Sequence, residues 1–156
     1  MGFDLYGVDP TDVDGKVGTY FRQSVWGWRP LWGLTVETCS HILTVKDAMS
    51  GGWNDGHKIT KSKAIRMAKC LQKAIDNGEI ADTVKAEQQK LEELPDETCD
   101  LCNGTGTRND KHVQGKCNGC SGVGKKRPFE TYYSTSVEEV AEFAEFCVNS
   151  GGFEIW

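Results

Sequence analysis

Apolar positions along the chain switch between two periods. Residues 1–30 carry short apolar runs broken by Gly7, Pro10, Gly15, Gly18 and Gly27, a pattern that predicts strands and turns. From Leu31 to Met49 the residues Trp32, Val36, Cys39 and Leu43 recur at helical spacing until Gly51 and Gly52. That predicts a first helix over 31–49. A second, over 61–77, presents Ile65, Ala68, Leu71 and Ile75, and Asn77-Gly78 stops it. A third, over 79–94, carries Ile80, Val84, Leu91 and Leu94 up to Pro95, because the residue before proline disfavours helix. The short Asn-Gly link predicts that the second and third helices pair antiparallel. Residues 129–133 read as a strand. A last helix starts at Ser136, where Ser-x-x-Glu offers a capping box, and buries Val137, Val140, Ala141, Ala144, Cys147 and Val148. Residues 153–156 read as a closing strand. The expectation is an α+β fold: a body of 1–98 and 125–156, interrupted by a cysteine-rich insert at 99–124.

Composition narrows the setting. The chain has 156 residues, about one domain, and its 38% hydrophobic content suits a folded protein. No apolar run approaches the roughly 20 residues that span a bilayer, and the first residues lack the basic start and apolar stretch of a secretory signal. A cytoplasmic protein without a membrane partner is expected. Net charge is −5, so general attraction to nucleic acid is not its character. Charge is nevertheless segregated: Lys58, Lys61, Lys63, Arg66, Lys69 and Lys73 precede an acid-rich stretch from Asp76 to Asp100.

The strongest chemical signal is Cys99-x-x-Cys102-x-Gly104-x-Gly106, repeated as Cys117-x-x-Cys120-x-Gly122-x-Gly124. Two thiolates two residues apart can take adjacent corners of a tetrahedron, and a second pair supplies the others. The glycines let backbone amides turn toward the sulfurs. One zinc ion held by Cys99, Cys102, Cys117 and Cys120 is the expectation; a redox pair and incidental cysteines are the alternatives. Four thiolates leave no open position, so such a site is structural. His112 lies between the pairs and could replace a ligand, but a solvated loop histidine is the expectation. Cys39, Cys70 and Cys147 fall on or beside apolar helix stripes, where buried, inert thiols are common.

The insert resembles the cysteine-rich zinc domain of DnaJ-type co-chaperones over about 26 residues. Those domains usually have four such repeats and two zinc sites, whereas this chain has two repeats, enough for one. It also lacks the His-Pro-Asp signature of that family's helical domain, so the resemblance implies zinc and not chaperoning.

A second unusual region joins Arg22, Trp26, Trp28, Arg29 and Trp32 with Trp53. Indoles stack on bases and guanidinium groups fit phosphate or carboxylate. With the basic residues Lys58, Arg66, Lys69 and Lys73 they could form a nucleotide or single-stranded nucleic-acid site; alternatively the tryptophans simply build a core. The segments Met1 to Gly7, Tyr20-Phe21-Arg22, Trp28-Arg29-Pro30-Leu31-Trp32, Trp53-Asn54-Asp55-Gly56 and Ser150-Gly151-Gly152-Phe153 resemble small uncharacterised proteins of bacteriophages and bacteria. That resemblance implies phage origin, residence in the host cytoplasm and a host protein or ribonucleoprotein as partner, such as a component of a defence system. No phosphate-binding loop, dinucleotide fingerprint, nucleophile elbow or His-Glu-x-x-His pair occurs. The reading is therefore a non-enzymatic accessory protein.

Overall fold

The computed structural model describes residues 2–11 and 17–156. Met1 and the expected turn at Gly15 lie outside them. The chain divides into two compact units: residues 1–87 with 133–156, called the body below, and Gln88–Tyr132, the knuckle unit.

The body is α+β. Strands β1 (Gly2–Gly7), β2 (Tyr20–Ser24), β3 (His57–Thr60) and β8 (Gly152–Ile155) form a sheet in the order β2-β1-β8-β3, with every neighbour antiparallel. Alternation places Phe3 and Leu5 of β1, Ile59 of β3 and Phe153 and Ile155 of β8 in the core, the half-buried pattern expected of an antiparallel sheet. Helices α1 (Val25–Thr38), α3 (Lys61–Asp76) and α5 (Val137–Asn149) supply the rest of that core through Trp28, Leu31, Met67, Leu71, Val140 and Phe143. Its aromatic centre is continuous: Trp28 stacks on Phe3 and Trp32 and meets Phe143 edge-on.

Helix α1 starts at Val25, six residues before the periodic run that predicted it. Ser24 supplies the N-cap by accepting from Gly27 N–H, and burial of Trp28 outweighs the turn character of the local glycines. Nor does one helix run to Met49. The chain turns after Cys39, and a short α2 (Val45–Ser50) begins from a Thr44–Asp47 capping box. Buried Asp47 accepts from Thr44 N–H and Oγ1–H, is held by Lys63 Nζ and lies 3.1 Å from His57 Nε2, joining α2 to β3 and α3.

Two further expectations are corrected. Helix α3 packs chiefly on α5, not on α4 (Glu79–Glu93), because its buried stripe runs through Ala64, Met67, Ala68, Leu71 and Ala74, rotated from the predicted one. Residues Phe129–Tyr132 form a 3₁₀ turn in place of a strand, closed by Thr131 N–H onto Pro128 C=O. The Ser136 capping box and the closing strand are present as expected.

The knuckle unit contains two small ribbons, β4 (Glu97–Thr98) with β7 (Lys125–Lys126), and β5 (Thr107–Asn109) with β6 (Gln114–Lys116). Its apolar centre is Cys99, Cys102, Cys117 and Cys120 alone. No helix of the described residues is long and apolar enough to cross a membrane.

Candidate metal centre

Each Cys-x-x-Cys-x-Gly-x-Gly repeat folds into the same turn, and the two turns are related by an approximate twofold. Gly104 N–H donates to Cys99 C=O as Gly122 N–H does to Cys117 C=O, at 3.2 and 3.1 Å. Cys99 N–H reaches Gly124 C=O and Cys117 N–H reaches Gly106 C=O, both at 2.9 Å, so each repeat closes on the other. Asn103 and Ser121, at equivalent places, both take positive φ, near 50°.

This geometry gathers the sulfurs. All four Sγ atoms lie within 4.8 Å of one another, and the side chains are buried. Cys99 and Cys117 sulfurs are 3.9 Å apart, and those of Cys102 and Cys120 3.7 Å. Four sulfurs about 2.3 Å from a central ion at tetrahedral corners would be separated by about 3.8 Å. The spacing therefore fits a zinc-sized tetrathiolate site and is far beyond the ~2.05 Å of a disulfide. Gly106 N–H donates to Cys102 Sγ at 3.3 Å and Gly124 N–H to Cys120 Sγ at 3.2 Å. Such donors neutralise part of the thiolate charge and fix the direction of the remaining lone pairs.

Burial raises Cys99 to about 11. At Cys102 the burial penalty is outweighed by Gly106 N–H and the neighbouring sulfurs, which bring it to about 7. A cation among the sulfurs removes the cost of ionising them together. His112 is exposed and lies outside the four-sulfur cluster.

The surroundings explain how the turns are held. Arg127 donates to the carbonyls of Leu91 and Leu94 at 2.6 and 2.7 Å and pairs with Asp96, so a cation caps the C-terminus of α4. Lys126 Nζ meets Asp100 at 2.7 Å, and Arg108 is engaged by Asp110 and Asn118. Lys111, Lys116 and Lys125 of this unit are exposed and outside any ion pair among the described residues. Leu101 and Val123 are exposed apolar residues of the knuckle. Neither is among the candidate residues that the sequence singles out, and their places inside the two repeats were the available signal.

The aromatic and arginine region is dispersed rather than assembled into one site. Trp28 is fully buried with its indole N–H donating to Gly51 C=O at 2.9 Å, so it cannot stack on a ligand, which corrects that part of the expectation. Trp26 packs on Tyr133, with ring centroids 4.8 Å apart. Arg22 stands on strand β2 beside Asp4. Lys58 pairs with Glu154 at 2.6 Å. Arg66, Lys69 and Lys73 are exposed on α3, but α3 packs on α5, whose exposed residues include Glu138, Glu142 and Glu145; Lys69 shares one groove with the latter two. The basic stripe is thus bordered by carboxylates. Of the expected ligand residues, Arg29 and Trp53 line one groove beside Trp32.

Comparison with protein-family models, curated proteins and solved structures returned no match. The fold and the site themselves define the class: an α+β protein carrying four buried cysteines placed to bind a metal ion.

Proposed function

We propose that this chain is a zinc-stabilised accessory protein whose knuckle binds a host macromolecule, and the reading assigns it no reaction. The observation that carries it is the closed four-sulfur site, with an N–H donor on Cys102 and on Cys120. Four thiolates occupy every tetrahedral position, so an ion held there orders the loop and leaves no place for substrate. The ordered surface offers Leu101, Val123 and unpaired lysines, the mixture of apolar and cationic groups that a protein or ribonucleoprotein partner can use. The resemblance to small phage proteins supplies the host setting, with a defence component as the partner of interest and the host cytoplasm as the compartment.

Two measurements test this. Elemental analysis of purified protein should return one equivalent of zinc per chain, falling to near zero when Cys99 and Cys117 are both serine. A pull-down from host lysate, run with and without nuclease, should lose its partner when 99–124 is replaced by a short Gly-Ser linker. A zinc content well below one equivalent removes the metal assignment. Equal capture by the shortened protein removes the knuckle as the recognition surface.

A further inference from the structure

The body carries an open groove of about 380 Å³ between α1, α2 and the residues that follow α2. Its floor is Trp32, 4% exposed, whose indole N–H is consumed by Ala48 C=O at 3.0 Å, so the ring offers only an apolar surface. Gly33 leaves the α1 side open, since nothing lies within 4 Å of where a Cβ would stand. Trp53 forms the outer wall and remains 63% exposed, and on α2 the neighbouring Val45 and Met49 are 78% and 67% exposed. A largely exposed indole standing over an apolar bed of Trp32, Val36 and Ala48 is more than a scattered surface residue.

Charge defines the rest of the site. Arg29 lines the groove, makes no ion pair among the described residues, and none of the other lining residues is acidic. The groove is therefore a cationic spot with an apolar bed in a chain of net charge −5. A polyanion approaching it meets the repulsion of the whole molecule, whereas a single carboxylate meets chiefly Arg29. Tryptophan and arginine, both present in this groove, are side chains enriched at the centres of protein interfaces.

We infer that this groove docks a protein segment carrying a bulky apolar side chain close to a carboxylate, the first entering against Trp32 and Trp53 and the second pairing with Arg29. The inference rests on the partner-binding reading above only in supposing that a partner exists. Its site contains no cysteine and belongs to the body, so it works whether or not metal is bound.

The test is to pan the full-length protein against a random dodecapeptide display library and to measure synthetic versions of the enriched peptides by tryptophan fluorescence. Enriched sequences should place an aromatic or large aliphatic residue within a few positions of Asp or Glu. Trp53→Ala and Arg29→Gln, both surface changes, should each weaken binding by about fivefold or more, and chelation should leave it unchanged. No enrichment, enrichment of peptides without an acid, or equal binding by both variants overturns the proposal. A dT12 oligonucleotide that binds in a Trp53-dependent manner, with affinity falling steeply as salt rises, overturns it in favour of nucleic acid. Peptide binding lost on chelation while the body stays folded moves the site to the knuckle. Groove-dependent peptide binding by a protein without zinc would defeat the preceding proposal and leave this one standing.

Discussion

Gly106 and Gly124 sit at equivalent points of the two repeats, with φ of +75° and +82°. A Cβ at Gly106 would lie 2.4 Å from Gly122 C=O, and one at Gly124 would lie 2.3 Å from Gly104 C=O. Neither backbone oxygen can move without opening the turn that faces it. These are also the residues whose N–H groups reach sulfur. Gly106→Ala and Gly124→Ala should therefore each lower zinc affinity, by roughly 10- to 100-fold as for other changes just outside a ligand set, measured by competition with a chromophoric chelator. Asp47 is the corresponding single residue of the body. Burial disfavours its ionised form, but Lys63, Thr44 and His57 outweigh this and hold its carboxyl well below the usual carboxylate range. A depressed folded value means stabilisation that is fully present above the unfolded value near pH 4 and is lost as pH falls below it. Asp47→Asn should cost about 3 kcal/mol at pH 7 and flatten the acid side of the stability profile. Urea unfolding followed by near-ultraviolet circular dichroism of the core tryptophans, at pH 7 and pH 3, checks both.

At the scale of elements, a cap decides where a helix ends. Arg127 satisfies carbonyls at the end of α4 from 30 or more residues away in sequence. Arg127→Ala should fray that last turn, raising amide exchange at 91–97 by about an order of magnitude, while exchange in α3 stays fixed; this follows from leaving the final carbonyls without a donor. Such long-range caps also explain what the chain did and did not reveal. The Ser136 box is written within four residues and was legible, as were the four cysteines, because their chemistry lives in local spacing. Thr44-x-x-Asp47 is as local, yet the helical period of Trp32, Val36, Cys39 and Leu43 masked it. The start of α1 was hidden because glycines and aromatics in that stretch mimic turns, and only the burial of Trp28 against Phe3 and Phe143 settles its conformation. The partner of α3 was illegible for a related reason: a short link between α3 and α4 fixes neighbours in sequence, whereas the buried stripe fixes the neighbour in space, which is α5.

For the whole molecule, the division into two units separates two kinds of cohesion. The body holds a core of aromatic and aliphatic side chains, whereas the knuckle unit buries four cysteines and little else. A metal chelator should therefore abolish amide protection across 99–124 while leaving the exchange of β1, β8, α3 and α5 within about twofold of its original rate, since the body's burial needs no ion. Hydrogen exchange read by mass spectrometry resolves the two regions. If the body's protection collapses in parallel, the two units share one cooperative transition.

The sheet order has a consequence for how the protein is made. Strand β8, with register partners on both β1 and β3, is synthesised after every other strand of its sheet. On the ribosome, β1 and β2 can zip together early as neighbours, but β3 has no strand to join until β8 emerges. Until then Leu5 and Ile59 keep open edges beside them, the kind of unpaired edge that exposes an incomplete sheet to wrong pairing. A stalled chain with Gly152–Ile155 still inside the exit tunnel should display a protease-sensitive body, which becomes resistant once a longer downstream spacer brings that strand outside.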